Sequence, residues 1–338
     1  MISPDELYEV IRVALTVNGA AAEKAEIQAA NLVEGELRGH ASHGIRRLRV
    51  LIERMRKGLI DPNVEPDLKW IAPAVLRVDG KRGFGPVVAQ RAIDEAVARA
   101  EETGIALAAI SNSSHIGMLA PYVESIAKRG QAALLLTTSE ALVHAWGGRR
   151  ATVGTNPIGI GVPSQGEPLV LDMSTASVSM GKVIDYAATG RALPDGWAVD
   201  AFGHPTSDGR AAVDGGAISP FGGPKGYALG IALEALVGVL TATAFGTHVV
   251  GTLDTELPAT KGDLLICVSL ERLGLQGMLP LLEQYFDEVR QTGVAAPVDI
   301  PGDRARRARG AHLTNGIRVD REVWTRALAY AEGSLAHD

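Results

Sequence analysis

The stretch GHASHGIRR, residues 39–47, holds side chains whose types and spacing could do chemistry. His40 and His43 lie one helical turn apart, but a zinc site needs a third protein ligand, and no other residue has ligand spacing. We therefore predict no metal. Two interpretations remain open: a polar helix end, or a site in which His43 exchanges a proton and Arg47 holds a carboxylate through paired hydrogen bonds.

The stretch SNSSHIG, residues 111–117, contains a second candidate, His115. It follows a strand-like apolar run and precedes a predicted helix, so His115 is predicted to lie on a loop, where active-site residues are common. The alternative is that Ser114 or Asn112 caps that helix and His115 has no chemical role.

Three further stretches combine glycine with polar side chains. In FGGPKGYAL, Pro224 is predicted to begin a helix with Lys225 in its first turn, an arrangement that can bind an anion. GTNPIGIGVP, residues 154–163, could bring the backbone close to a ligand or could be a tight bend. The arginines of PGDRARRARG, residues 301–310, form a solvated basic face more often than a phosphate clamp.

The glycine pattern of a Rossmann dinucleotide loop, G-x-G-x-x-G, is missing. GFGPVV at 83–88 and GIGVPS at 159–164 have the first two glycines without the third. We also expect neither to lie between a strand and a helix. A Rossmann phosphate loop is therefore excluded, and P-loop, H-E-x-x-H, C-x-x-C and G-x-S-x-G patterns are absent as well.

Hydrophobic periodicity divides the chain into three regions. Residues 4–58 are predicted to form three amphipathic helices, and 61–73, with three prolines, a linker. Strand-length apolar runs then alternate with helical patterns, and helices return from residue 270. The expected fold class is α/β of the α+β type, helical at both ends of the chain and mixed in its centre.

Composition and charge restrict the partners of this 338-residue chain. The net charge of −6 argues against nucleic acid. The single cysteine, Cys267, permits no disulfide within the chain, and the N-terminus lacks a signal-peptide pattern, so we expect a cytoplasmic protein. One membrane-like stretch, 226–251, contains Glu234 and three threonines, and we predict a buried helix at 225–240 and no membrane span.

Seven motifs, read in chain order, resemble one family. The chain is similar to the malate/L-lactate dehydrogenase family of non-Rossmann NAD(P)-dependent oxidoreductases, which includes ureidoglycolate dehydrogenase, 2,3-diketogulonate reductase, sulfolactate dehydrogenase and delta-1-piperideine-2-carboxylate reductase. The motifs are GHASHGIRRL, SNSSHIG, VGTNPIGIGVP, LDMSTASVSMGKV, LPDGWAVDAFGHPT, FGGPKGYALGIALEALVGVLT and IPGDRARR. They span nearly the whole chain, although residues 252–263 match poorly.

The resemblance implies a homodimer with two domains per chain. A mixed-sheet domain, residues 74–269, would bind the nucleotide without the usual phosphate loop. Residues 1–73 with 270–338 would form a helical domain from both chain ends. The implied activity is hydride transfer between NAD or NADP and C2 of a small 2-oxoacid or 2-hydroxyacid. The alternatives are a cyclic imine reductase and a nucleotide-binding protein without catalysis.

The resemblance also implies roles for individual residues. Ser42, His43 and Gly44 match the catalytic segment, with His43 as proton donor, and Arg47 matches the arginine that holds the substrate carboxylate. His115 matches the proton acceptor of some members. The residues that fall where the family contacts its cofactor are Ser139, Asp172, Met173, Ser174, Lys225, Gly226, Asp303 and Arg304. Arg304 or Arg306 could meet the 2′-phosphate of NADP.

One position departs from the family. Many members carry tyrosine where this chain has Leu51, one turn after Arg47. Loss of the hydroxyl favours a less polar pocket and argues against a dicarboxylate such as malate.

Overall fold

The computed structural model describes residues 1–334, and within them the chain forms eleven α-helices and eleven β-strands. The helices are α1 (Pro4–Val17), α2 (Ala22–Leu37), α3 (Leu48–Arg56), α4 (Gly85–Thr103), α5 (Ala120–Lys128), α6 (Met180–Thr189), α7 (Gly209–Val213), α8 (Pro224–Thr241), α9 (Leu279–Gln291), α10 (Asp303–Asn315) and α11 (Arg321–Ala331). The strands are β1 (Asp67–Ala72), β2 (Val75–Asp79), β3 (Ile105–Ser111), β4 (Gln131–Thr137), β5 (Ala141–His144), β6 (Ala151–Gly154), β7 (Ile158–Val162), β8 (Leu169–Met173), β9 (Ala198–Val199), β10 (Ala217–Ile218) and β11 (Asp263–Ser269).

The strands form two mixed sheets, which confirms the predicted fold class. The larger sheet has seven strands in the order β1-β2-β3-β11-β4-β7-β8, and the smaller has the order β6-β5-β10-β9. In the larger sheet β2 pairs parallel to β3, and the remaining neighbours pair antiparallel. Helices α4 and α5 cover one face of this sheet with a core of alanine, valine, leucine and isoleucine side chains. Small aliphatic residues therefore fill the core of this aromatic-poor chain.

Strand β1 lies where the sequence predicted a linker, so that part of the prediction is wrong. Its side chains alternate, and Leu68 and Trp70 pack against the sheet core while β1 pairs antiparallel with β2. Prolines stand just outside both ends of the strand, where their missing N–H costs no ladder hydrogen bond. The three prolines of residues 61–73 are the reason that the sequence prediction missed this short edge strand.

The helices of the two chain ends pack on each other, as the family resemblance implies. Helix α1 packs against α2 and α11, and Ile2 forms a β-bridge with Ile317. The first helix begins as its capping box predicts, because the Ser3 hydroxyl accepts a hydrogen bond of 3.1 Å from the backbone N–H of Glu6. Leu7, Ile11 and other apolar side chains of these helices form a second core.

Helix α8 matches the predicted bounds closely but is only half buried. Leu233 and Val237 pack on the larger sheet, on the face opposite α4 and α5, while Leu236 and Val239 on the other side of the helix are exposed. An apolar helix that covers a sheet can bury only one face against it, and the sequence pattern does not say which. No helix among residues 1–334 is both long and apolar enough to cross a membrane.

The turn before α4 contradicts one expectation. β2 ends at Asp79 and α4 begins at Gly85, so GFGPVV does lie between a strand and a helix. The Gly85 N–H donates a 2.8 Å hydrogen bond to the Ser114 hydroxyl, and a Cβ on Gly85 would overlap the His115 carbonyl. The loop before α5 therefore closes the N-terminus of α4, and no room remains there for a phosphate.

The glycines of GTNPIGIG serve packing. Gly159 and Gly161 lie in β7, and a Cβ on Gly161 would overlap the backbone carbonyl of Val123 in α5. Neither interpretation of this stretch, a ligand contact or a tight bend, describes Gly159 and Gly161: both glycines allow α5 to pack closely on β7.

Replacing Gly161 with alanine tests this packing. We expect Gly161→Ala to lower the free energy of unfolding by about 1–3 kcal/mol, because backbone atoms must move to admit the methyl group. Gly310→Ala is the matched control, since Gly310 lies in α10 with open space around it. That change should raise the free energy of unfolding by up to about 1 kcal/mol through helix propensity. Urea unfolding measures both, and equal effects would contradict the packing argument.

Candidate active site

A cavity of about 370 Å³ lies where the two sheets meet the turn after α2. Of the predicted site residues, the structure brings eight together in its wall: Ser42, His43, Arg47, His115, Ser139, Asp172, Met173 and Ser174. They come from four separate segments of the chain. The strand ends and turns of a mixed sheet thus assemble this site.

The turn that carries His43 rests on a buried carboxylate. Glu36, near the end of α2, accepts a 3.0 Å hydrogen bond from the backbone N–H of Ile45, and burial raises the pKa of its carboxyl group. A Cβ on Gly44 would overlap this carboxylate, and a Cβ on Gly35 would overlap the His43 carbonyl. Both glycines are therefore required because the turn lies directly on α2.

The two histidines lie side by side in the cavity, with ring centroids 5.4 Å apart. Burial, and after it the positive charge of Arg47, lowers the pKa of His43 to about 4. The pKa of His115 also lies well below the ordinary histidine value, because of burial and then of Arg47 and His43. Both imidazoles are therefore neutral at pH 7.

Hydrogen bonds distinguish the two rings. The backbone N–H of Gly117 donates to Nδ1 of His115 at 3.0 Å. Nδ1 of His115 therefore carries no proton, and the neutral ring holds its proton on Nε2, where it can donate a hydrogen bond but cannot accept a proton. Nδ1 of His43 lies 3.0 Å from the exposed Ser42 hydroxyl, which can donate or accept. Either tautomer of His43 is therefore available.

Arg47 is a partly buried cation beside these rings. Its guanidinium donates a hydrogen bond to the backbone carbonyl of Thr252. Burial lowers its pKa to about 10, against the opposing effect of the Glu140 carboxylate, so the group stays charged at pH 7. A charged guanidinium in a cavity is well suited to hold a carboxylate.

Lys261 is a cavity residue that the sequence analysis missed. Its ammonium pairs with Asp263, both side chains are fully buried, and burial lowers the pKa of Lys261. Asp263 also accepts from the Ser113 hydroxyl at 3.3 Å, while its second oxygen has no hydrogen-bond partner within the described chain. In the sequence, this pair is visible only as a lysine and an aspartate, two residues apart, at the start of an apolar strand.

Glu140, Thr252 and His40 also line the cavity and were not predicted as site residues. Thr252 belongs to the stretch that matches the family motifs poorly, and Glu140 directly follows the predicted Ser139. No spacing rule connects these two positions, because they meet only in the tertiary structure.

Two predicted cofactor residues of the cavity wall, Ser139 and Asp172, already form hydrogen bonds within the chain. The Ser139 hydroxyl accepts a 2.8 Å hydrogen bond from the backbone N–H of Thr155 and lies 2.9 Å from the Thr155 hydroxyl. Asp172 accepts two hydrogen bonds of 2.8 Å from the first amides of α5, at Leu119 and Ala120. Its carboxylate thus caps that helix, and burial raises the pKa of Asp172.

Four predicted cofactor residues lie outside the cavity wall: Lys225, Gly226, Asp303 and Arg304. Lys225 is exposed, and a Cβ on Gly226 would overlap the Phe221 carbonyl, so this glycine has a packing role. Asp303 accepts from the Ile300 amide at 2.9 Å and pairs with Arg306. These contacts belong to the fold itself.

Arg304 differs from the other arginines of its helix. It is exposed and near enough to His40, in the cavity wall, to lower the pKa of that histidine, an effect secondary to burial. Arg306, Arg307 and Arg309 each pair with a carboxylate. Among the residues that the structure describes, no cluster of three or more histidine, cysteine, aspartate or glutamate side chains could hold a metal ion.

Two neutral imidazoles beside a guanidinium are an arrangement that can exchange a proton with a bound carboxylate compound. A mixed sheet without a Rossmann phosphate loop carries this arrangement. The family model for malate/L-lactate dehydrogenase matches residues 2–327. The chain belongs to this family.

Relatives with different substrates resemble the chain to a similar degree. It is 34% identical to malate/(S)-sulfolactate dehydrogenase of Methanothermus fervidus, over 96% of this chain and 95% of that protein. It is 32% identical to Delta(1)-pyrroline-2-carboxylate reductase 1 of Burkholderia ambifaria, over 97% and 96%. A solved dehydrogenase from Sinorhizobium meliloti superimposes with a TM-score of 0.93 at 43% identity, covering 98% of this chain and 97% of that one.

An NMR titration tests the electrostatics of the site. We expect the His43 ring to titrate at about pH 4, because burial and the Arg47 charge both disfavour its protonated form. Arg47→Met should raise the midpoint, since it removes a neighbouring positive charge. His43→Gln identifies the signal, and circular dichroism confirms the fold over the titration range. A midpoint at or above the ordinary histidine value, or one unchanged in Arg47→Met, contradicts the assignment.

Proposed function

We propose that this protein is an NAD(P)-dependent oxidoreductase that transfers a hydride between nicotinamide and C2 of a small 2-oxoacid or 2-hydroxyacid. The observation that carries the proposal is the meeting of His43, His115 and Arg47 in one cavity. Family membership supports it, as does the relative named malate/(S)-sulfolactate dehydrogenase. The residues of the cavity account for each step that the protein itself must perform.

The cavity wall fits a nicotinamide. Hydroxyl groups of Ser139 and Thr155 offer hydrogen-bonding partners for a carboxamide, and Met173 and Ser174 line the same cavity. The nicotinamide, when bound, supplies or accepts the hydride at C2 of the substrate. For the adenosine end we propose Arg304 as the contact for a 2′-phosphate or pyrophosphate. Arg304 is exposed and, among residues 1–334, has no ion pair of the kind that engages the other arginines of α10.

Arg47 orients the substrate. Its guanidinium takes the substrate carboxylate in place of the Thr252 carbonyl, so the adjacent C2 lies beside the two imidazoles. Because Arg47 is partly buried in the cavity, this ion pair is screened less by water than one on the surface.

His43 exchanges the proton of the C2 oxygen. In the oxidation direction its Nδ1–H donates to the Ser42 hydroxyl, which leaves Nε2 free to accept the hydroxyl proton. The exposed Ser42 also connects the ring to solvent. His115, whose Nδ1 accepts from Gly117, donates from Nε2 to the same oxygen and steadies its negative charge. The two histidines thus perform different tasks.

Paired variants separate these tasks. His43→Gln should lower kcat by about 10²–10⁴, because glutamine cannot take up a proton. His115→Gln should cost clearly less, because the amide N–H can still donate a hydrogen bond. Steady-state kinetics with a 2-oxoacid and its 2-hydroxyacid measure both, and NADH fluorescence shows that each variant still binds cofactor. A larger loss in His115→Gln reverses the assignment.

Reduction of a cyclic imine is the second candidate. Hydride addition to a C=N bond beside a carboxylate needs nearly the same site. Leu51, the position where many family members carry tyrosine, packs in the core of the terminal helices and not in the cavity wall, so it does not distinguish the two candidates. Relatives named pyrroline-2-carboxylate reductases favour it. Assays of pyruvate and delta-1-pyrroline-2-carboxylate with NADH and NADPH distinguish the two. Cofactor binding without turnover of any substrate would support the non-catalytic alternative instead.

We also propose a cytoplasmic homodimer. The outer face of α8 exposes a run of apolar side chains without charges: Leu229, Ile231, Leu236, Val239 and Leu240. A two-fold axis would bring this face against the same face of a second copy and remove both from water. The single cysteine, buried Cys267, suits a reducing compartment. Within each chain we propose the same two domains as above, a nucleotide-binding domain of residues 74–269 and a helical domain of residues 1–73 with 270–338.

Aspartate substitutions on the outer face of α8 test the proposal of a dimer. Leu236→Asp with Val239→Asp should shift the protein to monomer, because two copies would bury unpaired carboxylates. Leu281→Asp, another exposed leucine, on α9, is the control and should leave the mass unchanged. Sedimentation equilibrium measures the mass, and a monomeric wild-type protein would refute the proposal.

A further inference from the structure

A loop that we call the strap, residues 251–257, forms the cavity wall beside Arg47. Thr252 and Leu253 of the strap line the cavity. One oxygen of Glu140 accepts 2.7 Å hydrogen bonds from the backbone N–H groups of both residues, and a third of 3.1 Å from the Thr252 hydroxyl. Glu140 therefore holds the strap by its amides.

Two arginines hold the same strap by its carbonyls. Arg47 donates to the carbonyl of Thr252, and Arg54 donates to those of Asp254 and Leu257 at 2.8 and 3.0 Å. Arg54 is buried behind the strap and does not line the cavity. The strap is thus anchored on both sides, and it determines what a substrate meets next to Arg47.

The charges of this wall leave one positive charge for a substrate. Lys261 also lines the cavity, but its ammonium is paired with Asp263. Arg47 has no ion-pair partner of its own among the described residues, while the Glu140 carboxylate lies close enough to raise its pKa against the effect of burial. One substrate carboxylate fits Arg47, but a second anionic group would meet Glu140 and no further unpaired cation.

The surface around Arg47 suits an uncharged substituent. Leu253, 46% exposed, turns an apolar side chain to the cavity, and Leu142 and Met180 also line it. A hydrocarbon tail would cover this surface and gain from its burial, whereas a carboxylate or sulfonate there would lose hydration without a partner.

We propose that the site takes a 2-oxoacid or cyclic imino acid with one carboxylate and an uncharged tail. Glu140 and Leu253 are the residues that exclude a second anionic group. This inference rests on the proposed function and narrows its substrate class.

A matched substrate pair tests the inference. 2-Oxobutyrate and oxaloacetate have the same chain length and differ in a methyl group against a carboxylate. We expect kcat/KM to favour 2-oxobutyrate by about tenfold or more, with 3-sulfopyruvate as slow as oxaloacetate. Equal or better use of oxaloacetate overturns the inference while the proposed function stands. Failure to reduce these acids and delta-1-pyrroline-2-carboxylate with either cofactor overturns the proposed function itself.

A new cation in the cavity should reverse the preference. Leu253→Arg supplies a partner for a second carboxylate, and we expect the oxaloacetate to 2-oxobutyrate ratio of kcat/KM to rise about tenfold or more. Leu257→Arg is the control, because it adds the same charge to the strap outside the cavity wall. An equal shift in both variants assigns the effect to charge at long range and overturns the role of Leu253.

Removing the negative charge tests Glu140 separately. Glu140→Gln keeps a carbonyl oxygen for the strap amides, so the wall should stay in place. The oxaloacetate to 2-oxobutyrate ratio of kcat/KM should rise through a lower KM for oxaloacetate. A loss of kcat on both substrates would show that Glu140 acts only by holding the strap, which overturns its part in selectivity.

Discussion

The partly buried charge of Arg47 beside two imidazoles is the constraint on which the site depends. An unpaired guanidinium in a protein interior costs several kcal/mol, so the chain must surround it with acceptors. The Thr252 carbonyl and the nearby Glu140 carboxylate meet that need. Burial holds both histidines neutral, and the same positive charge adds to this effect. The position of the strap, the protonation of the imidazoles and the binding of an anion are therefore coupled.

The fold must hold this cluster rigidly, and it does so with buried carboxylates at element ends. Glu36 supports the turn of His43, and Asp172 caps the helix that follows the His115 loop. Glu234 accepts from the Asn156 amide at 2.8 Å and thereby ties α8 to the turn before β7. Each carboxylate satisfies backbone or amide donors that would otherwise be buried without partners. The glycines of the motifs permit these close approaches.

The proposed roles of the cavity residues suggest a way for one family to serve several substrates. Relatives are named for malate, sulfolactate and pyrroline-2-carboxylate, compounds that each carry a carboxylate. In the mechanism that we propose, His43, His115 and Arg47 act on that common part. The strap, which we propose to meet the variable tail, matches the family motifs poorly. A loop anchored by Glu140 and two arginines can change its side chains without disturbing the proton chemistry.

Local sequence patterns predicted most of the helices and some of the strands, and they placed His43, His115 and Arg47 among the candidate site residues. Periodicity and capping depend on residues that are close together in the chain. Each of these candidate side chains also lies within a short motif. The sequence could not reveal β1, which three prolines concealed, or the strand–turn–helix position of GFGPVV. Lys261, Glu140 and Thr252 also escaped, because they meet Arg47 and His115 only through contacts far apart in the chain. The tautomer of His115 depends on one backbone N–H. These features depend on the tertiary structure, because desolvation and hydrogen-bond geometry arise only when distant segments of the chain pack together.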